Sequence, residues 1–328
     1  MASQVNTINK IAASSSRLNR REILKLSGLL AAILALPVEY GTHLAKALVS
    51  AGRVPVVWLE FQGCTGDSES FLRASPYPDP LQPGVTDLGI VDLLLDAISV
   101  EYHETLMAPS GANSEKSLSD AIANYYGQYV LVVEGSIPQG NNGVYCVIGG
   151  RTAVSRLQEV APSALATIAV GACAVDGGLS AAAPNLTGAV GVKDVLPGLT
   201  NYLALPGCPA NVVNLVASIV YLKTFGQLPD RDSAGKPYFA YSHEIHENCE
   251  RKPFYEQEKF VRTWGDSGHR QGWCLKEMGC KGPDTHNNCP IVKWNAQTNW
   301  PVGAGHPCVG CAEPHFWDNM TPFYAGDD

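Results

Sequence analysis

The chain has 328 residues, 45% of them hydrophobic and 16% charged, with a net charge of −8 and a pI of about 5.5. That length and apolar content suffice for one large or two smaller folded domains and exclude a disordered chain. The acidic balance, with no long basic run, excludes an electrostatic footprint for nucleic acid.

The N-terminus reads NRREILKLSGLLAAILALP over 19–37, then LAKA ending at Ala47. Paired arginines ahead of a short apolar run form the pattern of a twin-arginine export signal. The run is too short to span a bilayer. Residues 1–50 are therefore set apart as a leader, with an uncleaved docking helix as the alternative. No other segment reaches 18 continuous apolar residues, and the chain closes on FYAGDD without an anchor helix.

From about residue 52, apolar strands alternate with helices. VPVVWLEF (54–61) reads as a buried strand, and DLLLDAISVEYH (92–103) as part helix and part strand. SEKSLSDAIANYYG (114–127) has a Ser start, helical periodicity and a Gly stop. YVLVVEG (129–135) is a strand, RTAVSRLQEVAPSA (151–164) a helix and LATIAVGACA (165–174) a strand. NYLALPGCP (201–209) is a shorter strand and NVVNLVASIVYLKTFG (211–226) a helix. This alternation predicts an α/β fold, a doubly wound parallel sheet covered on both faces, over residues 51–226. Ligands in such sheets sit beyond the carboxyl ends of the strands.

GQLPDRDSAGKP (226–237) reads as a linker. The remainder, to residue 328, is rich in Gly, Pro, Cys, Trp and Asn and has only short periodic stretches. Such a chain is expected to organise around inorganic clusters whose ligation contributes to folding.

Ten cysteines are sparse before residue 240 and dense between 249 and 311. Disulfides suit small secreted scaffolds that lack a core, which this chain does not resemble in composition. Three groups can be drawn. Cys64, Cys173 and Cys208 follow or end strands and so share one edge of the sheet with Asp67, which stands where a C-x-x-C pair would place its second thiolate. His246, Cys249, Cys274 and Cys280 form a second group. Cys289, Cys308 and Cys311 form a third. Cys146 is left over and reads as a small buried hydrophobe. Thiolates in this number suit zinc or iron–sulfur clusters. Only Cys308 and Cys311 make the C-x-x-C knuckle that structural zinc favours, and ligands gathered from distant loops suit the larger cluster. On composition alone, His243 and His286 compete with His246 as a ligand. A structural multi-zinc interaction module is the alternative class.

From about Arg53 to Tyr324 the sequence resembles the small subunit of nickel–iron uptake hydrogenases. The motifs are GCTGDSESFLRA, YHETLMAPSG, VVEGSIP, GACAVDGG, LPGCPAN, HENC, GWCLKEMGCKGP, NNCP, QTNWPVGAGHPCVGC and EPHFWDNMTPFY, in that order. The resemblance implies a flavodoxin-like domain over 51–226 and a mostly irregular iron–sulfur domain over 227–328. It implies a proximal 4Fe-4S cluster on Cys64, Asp67, Cys173 and Cys208. It further implies a medial 3Fe-4S cluster on Cys289, Cys308 and Cys311, and a distal 4Fe-4S cluster on His246, Cys249, Cys274 and Cys280. Pro301 falls where a fourth medial thiolate would stand. No catalytic residue is expected here, because the nickel–iron site belongs to a separate large subunit in an obligate heterodimer, expected as a dimer of heterodimers. A redox acceptor takes the electrons.

Two departures mark the branch. The family's usual C-T-G-C reads C-T-G-D, and Gly66 and Gly178 stand where the oxygen-tolerant membrane-bound branch carries extra cysteines. The Asp pattern resembles the actinobacterial-type branch, associated with oxygen-insensitive, high-affinity uptake. That branch implies a cytoplasmic or peripheral protein, with export by the twin-arginine route as the alternative. Glu69 and Glu134 lie beside the proximal motif, as tuning groups or as carboxylates that orient loops.

Overall fold

The computed structural model describes residues 20–49, 52–73, 97–295 and 298–325. The first 19 residues, residues 92–96 of the stretch read as part helix and part strand, and Gln297 lie outside the described residues. Five strands, β1 (Val54–Glu60), β2 (Ile98–His103), β3 (Val130–Glu134), β4 (Ala166–Val170) and β5 (Tyr202–Leu205), pair in parallel in the order β2-β1-β3-β4-β5. This is the flavodoxin-type order, whose switch point lies between β1 and β3. The helices are α1 (Arg20–Ile33), α2 (Gly41–Val49), α3 (Gly66–Leu72), α4 (Ala112–Asn124), α5 (Ala153–Val160), α6 (Gly171–Asp176) and α7 (Val212–Phe225), besides shorter turns.

Strands β1, β3, β4 and β5 are largely apolar on both sides because both faces are covered, whereas the edge strand β2 is half-buried in its middle. Val56, Trp58, Val130, Val132 and Ile168 point into one core with Leu215 and Ile219 of α7. Val57, Leu59, Leu131 and Val133 point into another with Leu118 of α4 and Leu157 of α5. Helix α7 starts where the Asn211 side chain accepts the Val213 N–H at 3.0 Å, and it stops at Gly226, φ +70°. The N-terminal pair is part of this architecture. Leu30, Ala31, Leu34 and Leu44 join the first core, and Tyr40 packs edge-on against Phe225 at 5.7 Å. Among the described residues no helix is long and apolar enough to cross a membrane.

Two expectations need correction. The stretch 165–174 is not one strand. The chain leaves the sheet at Val170, and Gly171, at φ +83°, turns it into α6, so Cys173 sits in a helical turn. Residues 226–237 are no free linker either. Leu228 is buried in the first core, and the Ala204 N–H of β5 donates to the Gly235 carbonyl at 2.8 Å. An edge strand needs partners for its backbone groups, and this stretch supplies one.

The rest is irregular, as expected, but tied to the sheet domain. Ala240, Tyr241, Val292 and Ala312 belong to the first core. Asn214 and Asn288 exchange hydrogen bonds at 2.9 and 3.0 Å. Its own core is small: Ile245, Val261, Leu275, Met278, Cys289, Trp300, Val302 and Cys308. Two of those eight are cysteines.

Candidate metal centres

Cys64 follows β1 at the switch point and is exposed in this chain. Thr65, in the left-handed region at φ +62°, swings the backbone into α3, whose first turn carries Asp67. Cys173 arrives on α6 and Cys208 on the loop after β5. The three thiols and the carboxylate crowd one another. Burial first, then Cys208, Asp67 and Cys64, push the Cys173 thiol up to about 12. Burial, then Cys64 and Asp67, push Cys208 up to about 11. Burial, then Glu134, hold Asp67 well above the usual carboxylate range, against the Ala210 N–H that its Oδ1 accepts at 2.6 Å. A β-carbon on Gly171 would overlap the Asp67 carboxylate, and one on Gly178 would lie 2.5 Å from the Cys173 sulfur. Both Gly66 and Gly178 thus stand directly beside the thiols, Gly66 next to Cys64.

Glu134, at the end of β3, is 1% exposed and holds this loop. Its Oε1 accepts the Asp67 and Ser68 N–H groups at 2.9 and 3.2 Å. Its Oε2 accepts the Trp58 indole N–H at 3.0 Å and the Ser68 hydroxyl at 2.5 Å. Ser68 also contacts His103 Nε2 at 3.0 Å, and the His103 ring stacks on Trp58. Of the two carboxylates singled out in the sequence, Glu134 therefore orients the loop. Glu69 is an exposed partner of Arg73.

The second group closes around a short turn, Ile245–Asn248, that carries His246. His246, Cys249, Cys274 and Cys280 line one pocket, with Lys252, Tyr255 and Lys276 at its wall. The His246 ring meets Tyr255 edge-on at 4.7 Å. The competing histidines are engaged elsewhere: His243 with Glu247 at 2.9 Å and His286 with Glu313 at 3.2 Å. Burial pushes Cys249 up to about 11.

Cys289, Cys308 and Cys311 line a cavity of about 430 Å³ with Trp294, Trp300, Pro301 and Val302. Burial pushes the Cys289 and Cys311 thiols up to about 12, and Cys308 also rises. Cys208 of the first group lines this same cavity. The Cys308 N–H donates to the Cys280 sulfur of the second group at 3.3 Å. The order in space is therefore Cys64–Cys173–Cys208, then Cys289–Cys308–Cys311, then His246–Cys249–Cys274–Cys280.

All ten cysteines are free thiols. Cys146 packs against the second core, away from the three groups. Burial disfavours the charged form of Cys173, Cys208, Cys249, Cys274, Cys280, Cys289, Cys308 and Cys311, which bound iron would reverse. A cavity of about 430 Å³ between three thiols suits a multi-iron cluster better than one zinc held by sulfurs at about 2.3 Å. Sequence reasoning passed over Ser68, His103 and Arg251. Only their places beside motif residues could have flagged them, since each type is common at surfaces.

Similarity to known proteins runs along more than nine-tenths of the chain. Residues 241–324 match the C-terminal family of the "NiFe/NiFeSe hydrogenase small subunit", and residues 84–222 match "NADH ubiquinone oxidoreductase, 20 Kd subunit". The chain is 42% identical to the hydrogenase-2 small chain of Escherichia coli K12 over 300 residues, 91% of this chain and 77% of that one. It is 42% identical to the periplasmic NiFe hydrogenase small subunit 1 of Nitratidesulfovibrio vulgaris, covering 93% of each. Its fold is similar to that of the Ni-Fe-Se hydrogenase from Desulfomicrobium baculatum, with a TM-score of 0.75, 34% identity and coverage of 84% and 100%. It is also similar to the actinobacterial-type NiFe-hydrogenase from Ralstonia eutropha H16, with a TM-score of 0.71, 27% identity and coverage of 89% and 87%. With its parallel sheet, its three cysteine groups in a row and these relatives over nine-tenths of its length, the chain belongs to the small subunits of nickel–iron hydrogenases.

Proposed function

We propose that this chain conducts electrons from hydrogen, oxidised at the nickel–iron centre of its large subunit, through three iron–sulfur clusters to a redox acceptor. The observation that carries the reading is the unbroken row of ligand groups, joined through Cys208 and through the Cys308–Cys280 contact. Cys64, Asp67, Cys173 and Cys208 would hold a proximal 4Fe-4S cluster. Cys289, Cys308 and Cys311 would hold a medial 3Fe-4S cluster, where Pro301 occupies the fourth position. His246, Cys249, Cys274 and Cys280 would hold a distal 4Fe-4S cluster. Such clusters supply one-electron redox chemistry.

The chain's own residues bind the irons and keep water out. Trp300 and Val302, both buried, wall the medial cavity. Glu134 fixes the backbone that presents Asp67. Asp67 offers a harder oxygen donor that can also take a proton. The exposed Cys64 puts the proximal end at the surface, where a large subunit with the nickel–iron site would cover it. We read the assembly as an obligate heterodimer, paired into a dimer of heterodimers. Co-purification with the large subunit tests this. Several irons per small subunit, a brown protein and hydrogen-dependent dye reduction are expected. A colourless protein containing zinc would overturn it.

The N-terminal helices bear on location. Leu30, Leu34 and Leu44 are buried in the first core, which supports a retained segment and a protein at the cytoplasmic face. The twin-arginine pattern and a relative named as periplasmic favour export. N-terminal sequencing of the mature subunit separates the two. Retention predicts a start upstream of Arg20, whereas a start near Ala47 overturns it.

A further inference from the structure

Arg251 is a buried cation without an anionic partner among the described residues. It is 7% exposed and lies two residues after Cys249, in the wall of the pocket formed by His246, Cys249, Cys274 and Cys280. Nη1 donates to the Trp273 carbonyl at 2.7 Å, and Nη2 reaches the Gly303 carbonyl at 3.5 Å. Its backbone N–H donates to the Cys249 sulfur at 3.4 Å. The Nε–H is buried with no acceptor. Among the described residues no carboxylate forms an ion pair with this guanidinium. The adjacent Glu250 instead accepts the Trp300 indole N–H at 3.3 Å.

An arginine does not shed its proton in a protein. A buried charge is tolerated only when it is paired and hydrogen-bonded. Two carbonyl dipoles meet part of that need and leave the Nε–H and the net charge unanswered. The anions that this pocket can supply are its three thiolates.

We infer that Arg251 is the counter-cation of the distal cluster, with its unpaired Nε–H turned to the anionic cluster and its charge raising that cluster's reduction potential. This rests on the reading of the distal group as an iron–sulfur site. A fixed positive charge favours the form carrying one more electron. His246, a neutral ligand where a thiolate would be charged, acts in the same direction. Together they would draw electrons toward the exit end of the row.

The test uses the complete small–large heterodimer with Arg251→Met and Arg251→Lys, read by iron content and an EPR-monitored redox titration. In Arg251→Met the reduced-to-oxidised ratio of the distal cluster at fixed potential is expected to fall about tenfold, equivalent to about 59 mV for one electron. Arg251→Lys, which keeps the charge, is expected to stay near the native value, and the proximal and medial signals to stay unmoved in both. Distal iron lost from Arg251→Met but kept at native potential in Arg251→Lys also supports the inference. An unshifted distal potential in Arg251→Met, equal shifts in the two variants, or distal iron lost from both would overturn it, leaving Arg251 a mere brace for Trp273 and Gly303. A native heterodimer with no distal signal would instead refute the cluster assignment, before any substitution is made.

Discussion

Cys308→Ala is expected to stop hydrogen-dependent dye reduction while leaving hydrogen–deuterium exchange at the large subunit intact. Cys308 is one of the three cysteines proposed for the medial cluster and is tied to its surroundings through both its sulfur and its backbone N–H. It is 7% exposed, its sulfur accepts the Gly310 N–H at 3.4 Å, and its own N–H donates to the Cys280 sulfur. Its loss leaves two medial thiols, Cys289 and Cys311, around a cavity of about 430 Å³. Electrons would then have to cross the full distance between the proximal and distal groups. Losing a residue that only supports a ligand costs roughly 10–100-fold in metal affinity or activity. Losing a ligand in the middle of the row should exceed that for dye reduction. Isotope exchange needs only the chemistry of the large subunit and should persist. Dye reduction surviving within about tenfold of native would mean that the medial group is no part of the route.

Asp67→Ala and Asp67→Cys form the second large prediction. Asp67 is gripped from several sides. Its N–H is held by Glu134, its Oδ1 by the Ala210 N–H, and its carboxylate lies against the bare Cα of Gly171. The alanine variant removes the carboxylate that lies close to Cys173 and Cys208. It is expected to lose the proximal EPR signal, with iron loss confined to that group. The cysteine variant should retain the signal in altered form at a shifted potential, a tenfold change in the reduced-to-oxidised ratio corresponding to about 59 mV. If either variant showed an unchanged proximal signal and potential, Asp67 would not be a ligand.

Much of this was legible in the residues. The central strands announce themselves because a sheet covered on both faces needs nearly continuous apolar side chains, as in the VLVV that precedes Glu134 in β3. What sequence could not show depends on contacts made elsewhere. The end of β4 is invisible in LATIAVGACA because only the positive φ of Gly171 breaks an otherwise apolar run. The supposed linker looked polar and turn-rich, yet the free edge of β5 captures it at Gly235. Three histidines were equivalent by composition, and only their neighbours separate them: Glu247 and Glu313 take two and leave His246 to the thiols. Arg251, in NCERKP, looks like an ordinary solvated charge until its burial is known.

The small third core carries a consequence for the life of the protein in the cell. With two cysteines among its eight members, that core is expected to gain stability when iron binds. The sheet, by contrast, buries Leu131, Val133 and Leu203 without help from metal. A chain made during iron shortage is therefore expected to be cut first at the irregular loops of its C-terminal part. Growth on limited iron is then expected to lower the abundance of intact protein, which an immunoblot of the small subunit would measure.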